Sequence, residues 1–417
     1  MVDVEDLLSA GLDALSSHQR RAARVISLVP SENAGSRLAR AVFGTDAAAR
    51  AFFNIDGDPA NWTLPSRRHA ARIETDLTLP LLHVATGASY VSARPLSGTQ
   101  STTLVLASLD APPGGTVLVV HAAHDGPCRT SRLVARMRYA AVHLAHADPY
   151  RPDPSALEAA IAAHRPALVL FEDGGLFPLP LPDLLAVTGG VRTHVDISAT
   201  MPLIFGGLLP NPLHLGADSI GGSTHTAFPG PQHGVLAMRT AGVAEAVFAA
   251  ERDLIASHHL AAVCALGLAL AEFQSRAGLA YARAVVRTAR ALGGALAAEG
   301  LVPQAAERGF TGGHQLWVDT RPAGVDAAVA GERLAAGGID AEIRHDLPGF
   351  GGVPALSLGV AEAVHAGLGE QQAGRLAGLI ALAIRDPEAR DRVAFDVRAL
   401  RQHLHSPYVL PTPPPGV

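Results

Sequence analysis

Apolar positions along the chain recur at two different periods, and the change of period divides it. Residues 3 to 26 carry the spacing of one or two amphipathic helices, and residues 36 to 43 continue in helical character. Residues 52 to 68, rich in Asp, Asn, Pro and Gly, read as an ordered loop before helical spacing returns over 69 to 86. From 95 to 240, short β-branched runs that end in small or polar residues alternate with helical stretches. The runs fall at 116–121, 167–172, 193–197, 218–222 and 234–238. Strands alternating with helices predict a mostly parallel sheet covered on both faces. Ligands of such sheets bind beyond the carboxyl ends of the strands. His124, Gly174, Asp196 and His225 stand at or just past those ends, so the pattern predicts one polar crevice.

Beyond the sheet region, residues 256 to 298 are Ala- and Leu-rich at helical spacing and predict a long linking helix or helix pair. HQLWVDT (314–320) and ALSLGV (355–360) are strand-like, and EQQAGRLAGLIALAIRD (370–386) is helical. The expected fold class is α/β, with a mostly parallel central sheet in a large domain and a smaller C-terminal α+β domain. The expected divisions are a helical arm and loop over 1–60, the large domain over 61–275, the small domain over 276–410 and a Pro-rich tail over 411–417. No internal repeat is visible.

Composition narrows the function classes. With 48% hydrophobic and 17% charged residues and a net charge of -5, the chain lacks the balance of a disordered or nucleic-acid-binding protein. It lacks the basic face that an anionic membrane would attract as well. The N-terminus, MVDVEDLLSAGLDAL, has neither the basic nor the apolar block of a secretory signal, and no run of ~18 apolar residues suggests a span. Two distant cysteines, Cys128 and Cys264, make no disulfide framework, so a reducing, cytoplasmic setting is expected. The 33 Lys-plus-Arg residues are all arginine: the chain contains no lysine.

Several local patterns carry chemistry. Ser97, Gly98 and Thr99 form a small-residue turn ahead of a helical run. Free N–H groups at a helix start, with hydroxyls beside them, make an anion cradle, although the same pattern is also an ordinary N-cap. Asp196 ends a buried strand, where a carboxylate needs a partner. His121 lies three residues from His124, and His194 two from Asp196, which is metal-ligand spacing. Scattered structural histidines explain these pairs as well, and no metal site is assigned.

Four segments in order, SLVPSENAGS (27–36), PLSGTQ (95–100), HVDISA (194–199) and STHTAFPGPQHG (223–234), resemble serine hydroxymethyltransferase, a fold type I pyridoxal-phosphate (PLP) enzyme. The stretch GGLLPNPLHLGAD (206–218) fits as well, and the resemblance runs from about residue 20 to about 400. It implies that Ser97, Gly98 and Thr99 cradle the cofactor phosphate and that Asp196 pairs with the pyridine nitrogen. By the same match Ser223 and Thr226 belong to the cofactor site, Ser31 lies near the substrate carboxylate, and Asp56 stands for a catalytic glutamate that reaches the neighbouring subunit. A homodimer is expected on the same ground.

The departures are specific. Where the family carries its Schiff-base lysine, after the histidine, His225 is followed by Thr226. The ring-stacking histidine is replaced by Pro127, and Ser357 stands where an arginine grips the substrate carboxylate. Two readings lead, ahead of a third in which the same pocket serves a metal-dependent enzyme. In the first, the chain is a divergent transferase or aldolase-like enzyme for a small amino acid and an aldehyde or imine. It holds PLP or pyridoxamine phosphate without a covalent link, or takes a preformed adduct, and His225 moves the proton. In the second, it is an inactive paralogue serving a lysine-bearing partner as a structural or regulatory subunit.

Overall fold

The computed structural model describes residues 4–50, 64–121, 128–144, 147–148 and 150–409. Seven strands build the larger sheet: β1 (Tyr90–Ser92), β2 (Thr116–His121), β3 (Ala140–His143), β4 (Leu168–Glu172), β5 (Thr193–Asp196), β6 (Ser219–Ser223) and β7 (Gly234–Met238). Their spatial order is β1-β7-β6-β5-β4-β2-β3. The run from β6 to β3 is parallel, and β7 pairs antiparallel with both of its neighbours. The α/β class and the mostly parallel central sheet are those predicted from the alternating pattern.

Period-two alternation builds this sheet. Val117, Val119, Leu168 and Leu170 join Leu104, Val105 and Val247 on one face. Leu118, Val120, Val169 and Phe171 belong to the main core on the other. Both faces are covered, so the central strands read as continuous apolar runs. The edge strands β1 and β3 carry no such run; β3 is partly exposed along its whole length and was not visible in the pattern.

The helix α1 (Val4–Ala22) precedes the sheet and buries no residue. The helix α2 (Gly98–Ala107) follows β1, and its N-cap Ser97 accepts a hydrogen bond from Gln100 N. After β7, the apolar stretch divides into α3 (Leu260–Gln274) and α4 (Arg276–Ala298), which meet at 82°. Ser275 marks the break, its hydroxyl capping α4 through Gly278 N at 3.1 Å. Among the described residues no single helix is long and apolar enough to cross a membrane.

A second, antiparallel sheet contains β8 (Val302–Pro303), β9 (Gln315–Asp319), β10 (Glu342–Arg344) and β11 (Ala355–Gly359) in the order β10-β11-β9-β8. The helices α5 (Glu370–Arg385) and α6 (Arg390–Gln402) follow it. Two contacts bring the segment around Ser31 to this sheet. Ile26–Ser27 pairs in parallel with Ile339–Asp340. Gly359 N donates to Leu28 O, and a Cβ on Gly359 would lie 2.3 Å from Pro30 Cα, so only glycine admits that approach. The buried Tyr281 of α4 ties three segments together. Its hydroxyl accepts from Asn33 Nδ2 at 2.8 Å and lies 2.9 Å from Ala227 O and 3.0 Å from Ala361 O.

Candidate functional site

Strand register sets the floor of the site. His121 of β2 is level with Glu172 of β4, and Glu172 is level with Asp196 of β5. Register partners share a face, so three titratable side chains stand in one row at the carboxyl edge of the sheet. They line a hollow of about 330 Å³. Asp173 and Gly174 extend the floor, Ser198, Ala199 and Thr226 close one side, and Pro30, Ser31, Gln315, Glu342 and Arg344 form the opposite wall.

Each acid in the floor has a distinct environment. Asp196 Oδ1 accepts from Ser198 N at 2.8 Å. Burial pushes its carboxyl up, and the bonds from Ser198 oppose the shift. Gly222, at φ 150, makes room for it: a Cβ there would lie 2.6 Å from Ser198 Oγ and 2.9 Å from Asp196 Oδ1. Glu172 accepts from Thr130 Oγ1 and lies 3.6 Å from Cys128 Sγ and 3.5 Å from His121 Nε2. Burial, reinforced by the charge of Asp196, raises Glu172 to about 7 against the opposing Thr130 bond. Asp173 accepts from Leu179 N at 3.0 Å, and burial raises it to about 7 as well.

The anion-cradle residues approach from the other side of the β6 end. A Cβ on Gly98 would lie 2.6 Å from Ser223 N, and Ser223 N donates to Ser198 Oγ at 2.8 Å. Ser97–Gly98 and Asp196 thus flank the same strand end, Gly222–Ser223. Ser97, Gly98, Thr99 and Ser223 do not line the hollow that holds Asp196, and Thr99 is exposed.

His225 is not among the residues that line the Asp196 hollow. The chain turns after Ser223, so consecutive residues open onto different spaces. Thr226 lines the hollow with Asp196, whereas His225 lines a second hollow of about 700 Å³ with Glu32, Arg40 and Glu362. Ser223 Oγ lies 2.8 Å from His225 Nδ1. Burial lowers the imidazole pKa, and Glu32 partly restores it. His225 is nevertheless linked to the Asp196 side of the strand end through Ser223, whose N–H donates to Ser198 Oγ.

Ser31 lines the Asp196 hollow, as the sequence suggested. Ser357 is fully buried in β11 beneath the wall, opposite Glu342, and does not line it. Asp56, His124, Asp125 and Pro127 lie outside the described residues. His194 is buried beside Ser219 Oγ at 2.9 Å, and burial lowers it to about 3. Among the described residues no group of three His, Cys, Asp or Glu side chains is arranged to hold a metal ion.

Sequence reasoning missed Glu172 and Asp173 as site residues, although the acid pair directly after the apolar run 167–171 marks a strand end. It missed Gln315, Glu342 and Arg344 entirely, because only tertiary folding brings the second sheet over the first.

No family model matches the chain. An L-threonine:uridine-5'-aldehyde transaldolase of a Streptomyces species is 38% identical over 392 residues, covering 92% of this chain and 91% of the relative. A serine hydroxymethyltransferase of Methanopyrus kandleri is 30% identical over 437 residues, covering 96% and 94%. The crystal structure of L-threonine transaldolase from Pseudomonas fluorescens, in its internal aldimine state, superposes with a TM-score of 0.83 at 25% identity, covering 97% of this chain and 94% of that one. With its fold, its Asp196 hollow and relatives of this identity along nearly its whole length, the chain belongs to the serine hydroxymethyltransferase-like family of fold type I, PLP-dependent proteins, to which threonine transaldolases are related.

Proposed function

We propose that the chain is an aldol-exchange enzyme that transfers the amino-acid part of a β-hydroxy amino acid, L-threonine by preference, to an aldehyde, using PLP held without a covalent link. The observation that carries this is the position of Thr226. The residue after His225, where the family has lysine, opens into the same hollow as Asp196 and Ser31. The covalent anchor is lost while the space it served remains.

The residues fit the cofactor on its ring side and offer no amine. Asp196, a carboxylate at a strand end with one oxygen held by Ser198 N, would face the ring nitrogen. The N-terminus of α2, with Ser97, Gly98 and Thr99, would take the phosphate. Bound there, PLP supplies the electron sink that lets a bond at the amino-acid Cα break. The protein's own part is to bind, orient and exchange protons. Ser31, which lines the hollow, would donate to the substrate, and Glu172, raised to about 7, holds or releases a proton near neutral pH. Relatives named for threonine and an aldehyde support the choice of substrates. A homodimer is part of the proposal: α1 exposes Leu7, Leu8, Leu12 and Leu15, as an arm lying over a second subunit would.

The test is to mix the protein with PLP or pyridoxamine phosphate, pass it through gel filtration and record the spectrum. L-threonine and uridine-5'-aldehyde are then added and acetaldehyde is measured. A shifted cofactor band that survives filtration, with acetaldehyde released, is the expected outcome. No retained cofactor and no product, with capture of a lysine-bearing homologue instead, would move the chain to a subunit role.

A further inference from the structure

Glu172, Asp173 and Asp196 line the floor of the hollow; among its described lining residues Arg344 is the only guanidinium, and Glu342 lines the hollow beside it. Arg344 lies opposite Ala355, Glu342 opposite Ser357, and Gln315 opposite Gly359. Opposite residues of antiparallel strands share a face, and residues two apart on one strand do as well. Gln315, Ser357, Glu342 and Arg344 are therefore turned to one side. Arg344 Nε bonds Asp346 Oδ1 at 2.9 Å, which orients the guanidinium on β10. Gln315 is 7% exposed, and its Oε1 has no hydrogen-bond partner among the described residues; the same holds for the fully buried Ser357 Oγ. A guanidinium held on a strand, in a wall that also carries the unpartnered amide oxygen of Gln315, suits a ligand with a carboxylate end.

We infer that Arg344 is the carboxylate anchor for an α-amino acid bound in this hollow, which Ser31 and Gln315 also line. The inference rests on the amino-acid reading above and adds the residue that selects the substrate class. Arg344 comes from the strand next to β11, so the clamp that Ser357 cannot form is supplied from the neighbouring strand. A guanidinium suits this work because its planar fork matches a carboxylate.

The test compares L-threonine with L-threoninamide, which keeps the amine and lacks the negative charge. Both are titrated calorimetrically into wild type, Arg344→Gln and Arg344→Lys, with and without PLP. Wild type should prefer L-threonine. Arg344→Gln should weaken L-threonine by about tenfold or more while L-threoninamide changes by less than about twofold, and Arg344→Lys should recover part of the loss. Arg344 is one-fifth exposed, and circular dichroism checks that each variant folds. An unchanged preference in Arg344→Gln, with L-threonine still bound, overturns the anchor and leaves the site reading standing. Wild type that binds neither compound overturns both.

Discussion

Replacing Glu172 by glutamine keeps the shape of the side chain and removes its titration. In the folded protein this carboxyl stands in a row between His121 and Asp196, and burial lifts it from an ordinary value near 4.5 to about 7. Below pH 4.5 the proton is bound in both folded and unfolded chains, so the residue contributes nothing to pH dependence. Between 4.5 and 7 the unfolded chain releases the proton and the folded chain keeps it. Folding is then opposed increasingly as pH rises, and the opposition is complete above 7. Each pH unit of displacement corresponds to about 1.4 kcal/mol, so the full penalty is about 3 kcal/mol, of which about 2–3 kcal/mol develops between pH 5 and 8. Glu172→Gln should escape it. Urea denaturation of both proteins at pH 5, 6, 7 and 8 should show similar stability at the acid end and a growing advantage for the variant toward pH 8. A constant difference across that range would mean that Glu172 ionises freely in the folded state, and the account of the acidic floor would fail.

Three further changes probe the same hollow. Thr226→Lys places an amine in the space shared with Asp196 and should permit covalent attachment of PLP; borohydride followed by mass spectrometry should find the modified peptide, and no adduct at saturating PLP would mean that the hollow does not accept the ring. Asp196→Asn should weaken PLP retention by at least about tenfold, read by equilibrium dialysis, because a charged contact to the ring nitrogen is lost; unchanged retention would remove Asp196 from the cofactor site. Gly222→Ala, at φ 150 and with its Cβ forced to 2.6 Å from Ser198 Oγ, should lower stability by about 1–3 kcal/mol and disturb the spectrum of bound PLP; a Tm equal to that of wild type would show that the strand end tolerates a side chain.

What the sequence revealed follows from which forces are local. The buried strands β2, β4, β5, β6 and β7 announce themselves through apolar runs, and their ends locate Asp196 before any coordinates. The edge strands β1 and β3 were silent because exposure removes the apolar signal. The stretch 256–298 was legible as a helix or pair. Its break falls at Ser275, where the backbone is extended and the hydroxyl caps the next helix, and the apolar period continues through it. Ser31 and Thr226 were found through motif matches and do share the Asp196 hollow. His225 was found through the same match and lines the neighbouring hollow, because side-chain direction after β6 depends on a turn, and no period governs a turn. Arg344 and Gln315 were invisible for a different reason: their relation to Asp196 exists only once the second sheet lies over the first.

The charges in the hollow set where its exchangeable protons sit at neutral pH. Buried carboxylates are costly unless they are paired or protonated. Arg344 stands beside Glu342 and lowers its pKa against the rise that burial imposes. Asp196 is held by Ser198. At Glu172 burial outweighs the Thr130 bond and the charge of Arg129, at Asp173 it outweighs the Leu179 bond, and both keep their protons to about pH 7. The floor is therefore less negative at neutral pH than its composition suggests, and its exchangeable protons sit on carboxyls instead of an amine. Under the proposed reaction, the group that gives or takes a proton in this hollow is then Glu172 or Asp173. His225 lines the neighbouring hollow, since the turn that opens Thr226 into this one carries the imidazole there.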